Sequence, residues 1–383
     1  MGTIHTASLT EPMLVFGPSR YRDRTAAYVR RLTFLHLVLT AGMSVALLSG
    51  LLVVALMGSP SGSTPALAGL AVSAPAILFL WLMRRACYIE TRPRLAATSG
   101  LAYALLVSAG MVLLTREDAL TAASALMAFG LASLVVAWWL KLRLSRFHRP
   151  SVATLSLADV ATSHWSYGRW ALGSGLFGWV PGNLVLLAMP LWHSLDDVAT
   201  LRVAMTLIMP VLQAEGALAA LLTPALVRAR LSGQLRSTAK RALTIFFAFS
   251  LLYVPLVIGF GSRLAQWLFG DHYQFDRPTL GLLAATPLFI AISLVSAGTL
   301  QALERPDQIF WINAALAVGT CVVGLPFVFV WGVAGALASM LLSAVMGAAL
   351  ATWASLRLTR GARPQEAPTR VPQYIGGLGP GSG

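Results

Sequence analysis

Residues 199–230 read ATLRVAMTLIMPVLQAEGALAALLTPALVRAR. As a helix rising about 1.5 Å per residue, this stretch outreaches the roughly 30 Å of hydrocarbon in a bilayer. It carries Arg202, Gln213 and Glu215, groups that are costly to place in lipid. It closes on Thr223-Pro224-Ala225-Leu226-Val227 and a basic run. The start of the chain repeats that ending: Glu11-Pro12-Met13-Leu14-Val15, followed by Arg20, Arg22 and Arg24. The two prolines are 212 residues apart.

The whole chain matches this opening. Of 383 residues, 57% are hydrophobic and 11% charged, where a soluble domain carries about 25% charged. The mean hydropathy is +0.74. Long apolar runs separated by short charged stretches indicate an all-α, polytopic membrane protein. The net charge of +14 sits in the connections between spans, where membrane topology accounts for it, so no nucleic-acid partner is implied. Cys87 and Cys321 lie far apart and outside metal-ligand spacing. Neither a disulfide framework, a metal site nor a cofactor is expected, and residues 1–12 lack the pattern of a signal peptide.

Ten spans are predicted, at about 32–57, 66–83, 95–115, 119–140, 171–191, 200–227, 242–268, 279–303, 308–330 and 332–356. The last two are close enough to form a tight hairpin at Trp331-Gly332. Threading the chain through these spans puts 24 of the 28 Lys and Arg residues on one side and 4 on the other. The positive-inside rule makes the rich side cytoplasmic, with both termini there. The division is then 1–31, a helix end and basic segment; 32–140, a four-helix lobe; 141–170, a cytoplasmic linker; 171–357, a six-helix lobe; and 358–383, a disordered tail rich in Gly and Pro. Within the linker, SVATLSLADVATSHW reads either as a short helix on the membrane surface or as an irregular polar connection.

The offset of 212 recurs. Gly69-Leu70 with Pro75 matches Gly281-Leu282 with Pro287, and Arg92-Pro93 matches Arg305-Pro306. Arg30-Arg31 matches Lys240-Arg241, and Leu142-Arg143-Leu144-Ser145-Arg146 matches Leu356-Arg357-Leu358-Thr359-Arg360. Matching points fall on the same side of the membrane, so the chain holds two parallel copies of one unit, a pattern found in transporters. The second copy has six spans and the first four. The first copy is therefore expected to lack two front helices, with the Glu11-Pro12 stub as the tail of the second of them.

Two lobes joined by a basic linker resemble the multidrug/oligosaccharidyl-lipid/polysaccharide (MOP) exporters, and within them the Wzx-type polysaccharide flippases. The likeness rests on EPMLVFGPSRYRDR, on DVATLRVAM and TPALVRAR at the two ends of the sixth span, and on LFGDHY, LQALERPDQIFWINAAL and WGVAGALASMLLS. It spans the chain from about Glu11 to Arg360. The resemblance implies a non-hydrolytic exporter of the bacterial inner membrane that rocks one lobe against the other. It implies a lipid-linked glycan as substrate, the bilayer as medium, and other proteins of polysaccharide assembly as partners.

Four groups of residues are candidates for function. Arg202 and Gln213 fall within about 20° of one helix face, with Thr206 and Gly216. This is either a substrate wall whose Arg fork draws a diphosphate, or an Arg that snorkels to the interface near Asp196 and Asp197. Glu215, about 140° from Arg202, is a proton or cation site or a hydrogen-bonded packing residue. Asn183 follows Pro181-Gly182, a pair expected to break the helix and free carbonyls; it lines the substrate path or bonds a neighbouring helix. Arg30, Arg31, Lys240 and Arg241 open equivalent helices, where they gather an anionic headgroup or simply set topology. His36 has no acid or Cys at ligand spacing, and no Walker, HExxH or nucleophile-elbow motif is present.

The readings that compete are a lipid-linked oligosaccharide flippase, a cation-coupled drug exporter of the same superfamily, a non-transporting partner or remnant, and an integral-membrane glycosyltransferase or polymerase. Asp196-Asp197 alone favours the enzyme, and the outer connections are too short to hold a sugar-binding domain.

Overall fold

Gly332 adopts φ 54°, ψ −124° inside what is otherwise an unbroken helical run, and this one residue completes the span count. Among the described residues of the computed structural model (1–57, 64–145 and 155–361), nine stretches are long and apolar enough to cross a membrane. The last, Pro306–Arg360, has 55 residues, far more than one crossing needs. It folds back at Gly332. Gly324 meets Ser339, Thr320 Oγ1 lies 3.2 Å from Ser343 Oγ, and Leu316 packs on Gly347. All three pairs are mirrored about the Trp331–Gly332 bond. Ten spans result, with the hairpin where the sequence places it.

The helices, in order, are α1 (2–16), α2 (Thr25–Leu56), α3 (Thr64–Ile89), α4 (Pro93–Arg116), α5 (Ala122–Ser145), α6 (Leu157–Ala188), α7 (Leu195–Leu231), α8 (Leu235–Phe269), α9 (Arg277–Ala302), α10 (306–331) and α11 (333–361). Their starts carry ordinary signals. Ser194 and Asp197 form a reciprocal capping box on α7, Asp276 caps α9 through Thr279 N, and Ser156 caps α6. Arg-Pro opens both α4 and α10, with Pro in the first turn where its missing N–H costs nothing.

The duplication is visible in the backbone. Thr91 and Glu304, 213 residues apart, both take φ +58°, and the arginines after them share φ/ψ near −115°, 59°. Arg92 N donates to Cys87 O at 2.8 Å and Arg305 N to Leu300 O at 3.0 Å. In the lobe α2–α5 the second and fourth helices pack most extensively, as do α9 and α11 of the lobe α6–α11.

Helix ends depart from the hydropathy reading. The boundaries placed at 31, 140, 170 and 357 all fall inside helices. Hydropathy marks the lipid-immersed part of a span, whereas the backbone stays helical through its basic flank. The surface helix of the linker is replaced by the first turns of α6. Leu155 and Val160 are buried there against the first lobe rather than on headgroups. Residues 146–154 of the linker and 362–383 of the tail lie outside the described residues; positions 358–361 continue α11.

The buried apolar residues form two clusters. One, containing Phe16, Tyr28, Met83, Leu140, Tyr167, Val227 and Phe246, is shared by both lobes at the arginine-rich end. The other, containing Leu201, Ile208, Val257, Leu283 and Val328, belongs to the opposite end of the second lobe alone.

Candidate functional site: the seam and gap between the lobes

Side chains from distant parts of the chain close the lobes together at the arginine-rich end. Tyr28 OH donates to His164 Nε2 at 2.7 Å, and His164 Nδ1–H donates to Ser8 O at 3.0 Å. Tyr167 OH and Gln301 Nε2 both donate to Glu11 Oε1, at 3.1 and 3.0 Å. Gln301 Oε1 accepts from Thr223 Oγ1 at 2.8 Å. Glu11 and Thr223 are the repeat-equivalent positions before the two prolines, so one amide ties the matched ends of α1 and α7 together. Arg85, on α3, lies near enough to Glu11 to act on its charge. At the rim, Glu304 pairs with Arg20 at 2.5 Å and Arg230 at 3.5 Å, and Arg230 also donates to Ala302 O. The rim ion pairs are partly exposed and each contributes little. The buried contacts carry the closure. Gly168 lets α6 approach α1 so closely that an added Cβ would sit 3.0 Å from Ala7 O.

Above this seam the lobes part. Arg202, Thr206, Gln213 and Gly216 are exposed along one stripe of α7. Pro224 and Val227 lie within about 40° of that stripe by helical spacing, and both are buried, Val227 in the core shared with the first lobe. The face that carries Arg202 is therefore the face turned toward the other lobe. Among the described residues the Arg202 guanidinium has no hydrogen-bond or ion-pair partner; its carbonyl accepts from Thr206.

Glu215 is on another side of α7, fully buried against α8. Its Oε1 accepts from Ser250 Oγ at 2.5 Å, and its Oε2 has no partner among the described residues. Glu215 and Arg202 are not brought together. Asn183 donates to Trp179 O of its own helix at 2.9 Å, so it neither bridges to a neighbour nor marks a break. Helix α6 runs through Pro181 because a backbone in lipid has no other partner for its polar groups. Arg31 is engaged, donating from Nε to Leu155 O at 2.9 Å, while Arg30, Lys240 and Arg241 are exposed.

The sequence reading named none of Arg20, Tyr167, Gln301 or Glu304, and took Glu11 as a helix-end marker. One signal was available: within a repeat otherwise matched, an acid at position 11 faces a threonine at 223.

No family model and no curated protein matches the sequence. Solved structures do match in fold. A variant of a Vibrio cholerae MATE transporter aligns with TM-score 0.80 at 16% identity, over 94% of this chain and 86% of that one. An outward-facing multidrug-resistance MATE transporter of the MOP superfamily gives 0.76 at 15%, over 94% and 84%. A MOP-superfamily transporter from Pyrococcus furiosus, described as having a binding pocket of reversed polarity, gives 0.75 at 15%, over 94% and 83%. The structural neighbours of this chain are thus transporters, and the fold it shares with them is that of the MATE proteins of the MOP superfamily.

Proposed function

We propose that this protein moves a lipid-linked oligosaccharide or polysaccharide precursor across the bacterial inner membrane by rocking its lobes about the seam. The observation that carries the reading is the arrangement on α7. One face of that helix is sealed against the other lobe at the arginine-rich end and offers an unpaired Arg202 to the gap above it. The positive-inside rule makes the sealed end cytoplasmic and places both termini in the cytoplasm. The structure is then the state closed to the cytoplasm. An unpaired guanidinium suits the oxygens of a diphosphate and repels a cationic drug. At the cytoplasmic face, Arg30, Lys240 and Arg241 gather the anionic headgroup before it enters; Arg31 is held by the chain itself.

The test is flipping of a fluorescent diphosphate-linked oligosaccharide lipid in vesicles containing the purified protein. Arg202→Ala should slow flipping about tenfold, the worth of one charge-assisted contact, and Arg202→Lys should recover part of it. Expulsion of a cationic dye, unaffected by Arg202→Ala, would instead establish the drug exporter. Movement of neither probe would favour the partner or remnant reading.

The drug-exporter reading has its own support in Glu215, a buried acid in a span whose second oxygen is unpartnered. If it couples transport to protons, Glu215→Gln keeps the shape and the Ser250 bond. The melting midpoint should then stay within about 3 °C, while dependence of transport on an imposed pH gradient disappears.

A further inference from the structure

At the arginine-poor end of the second lobe is a depression of about 600 Å3 that the seam and gap do not use. Three connections wall it: the approach to α7, the segment between α8 and α9, and the Trp331-Gly332 hairpin. Each is fixed by the fold. His193 Nε2–H donates to Val328 O at 2.7 Å, and its ring lies against Gly332. Asp197 is held in the capping box of α7, and Asp276 caps α9. Phe275 N donates to Ser262 Oγ at 3.2 Å.

The lining combines two kinds of surface. Trp331 is 58% exposed and offers one broad flat face. Asp197 and Asp276 each spend one oxygen on their caps and keep the other. Hydrogen bonds from Thr279 hold the Asp276 carboxyl below its usual range, so it remains an acceptor. Among the described residues, the Thr200 hydroxyl and the Trp331 indole N–H have no protein partner, and no basic side chain lines the depression. Two carboxylates repel a phosphate and are poorly matched to an apolar body. A flat indole beside ionised acceptors and a free hydroxyl matches a pyranose, whose C–H face stacks while its hydroxyls donate.

We propose that this depression binds a neutral sugar ring, stacked on Trp331 and hydrogen-bonded to Asp197 and Asp276, as a resting place for the glycan on the side where it emerges. The proposal rests on the glycan reading of the function and adds a second, sugar-specific site to it.

The test is saturation-transfer NMR and calorimetric titration of the full chain in detergent with free maltose and free chitobiose. Saturable binding in the millimolar range is expected for at least one. Trp331→Ala should weaken it tenfold or more, and Trp331→Phe should weaken it less. Asp276→Asn, which keeps the helix cap, should weaken it about fivefold. Trp267→Ala, at an exposed tryptophan outside the depression, should leave it unchanged. Absence of saturable binding by folded wild-type protein overturns the proposal. So does binding indifferent to Trp331, or tighter binding of an alkylamine that displaces the sugar. Flipping of the lipid-linked probe is measured in parallel. Sugar binding without flipping retires the transport reading and keeps the site, whereas flipping without sugar binding retires the site alone.

Discussion

Gly168→Leu should hold the lobes apart at the arginine-rich end and lower transport at least tenfold. The added Cβ would stand 3.0 Å from Ala7 O and 3.3 Å from Ser8 Cα, both backbone atoms that no rotamer change can move. Leucine adds three more carbons in the same place, so α1 and α6 must separate. Separation breaks the His164–Ser8 and Tyr167–Glu11 bonds, one turn away in either direction or beside the clash. Overpacking of this kind costs about 3 kcal/mol, a hundredfold in the ratio of closed to open seam. Cys87 reports it directly, being fully buried in the core the lobes share. In a Cys321→Ala background, maleimide should label Cys87 slowly in the wild type and rapidly in Gly168→Leu, with both proteins eluting as folded species. Equal labelling would mean that the seam does not depend on this approach. Gly168→Ala should fall between the two.

Gly332→Val should disrupt the final hairpin. With φ +54° and ψ −124°, this backbone is open to glycine and strained for any L side chain, most of all a β-branched one. The new Cβ would also meet His193 Cε1 at 3.3 Å. Together these cost about 3 kcal/mol. The penalty falls where 55 apolar residues must either turn back or run on, and running on would deliver the C-terminus to the wrong side. A reporter fused to the C-terminus should lose its uniform sidedness, and the melting midpoint should fall. Gly50→Ala, where an added Cβ has open space, should change neither. Unaltered sidedness and stability in Gly332→Val would mean that the turn tolerates a side chain.

The spans and their pairing were legible because they are written in properties that a bilayer enforces locally. Apolar length gave the crossings, arginine placement their direction, and the 212-residue offset the two lobes. The hairpin was legible as a glycine between two runs each long enough to cross. Helix ends were not, since the basic flanks of α2, α6 and α8 remain helical without being apolar. Nor was the seam. Its bonds join residues 136 to 290 positions apart, such as Tyr28 with His164 and Glu11 with Gln301, and no periodicity records such a meeting. Asn183 shows a different failure: a polar side chain in a span spends its donor on its own helix, an outcome that composition does not distinguish from a bridge.

Gln301 has a consequence for how the two copies have diverged. It stands between positions that began as the same residue in a duplicated unit, giving its N–H to one and taking an O–H from the other. A carboxylate can only accept, so an acid fits opposite the amide nitrogen and would confront the amide oxygen. A joint of this form has room for a single acid. Once glutamate occupied position 11, its twin at 223 was confined to a side chain with a hydrogen to give, and the ancestral equivalence of the two halves could not be restored by one substitution.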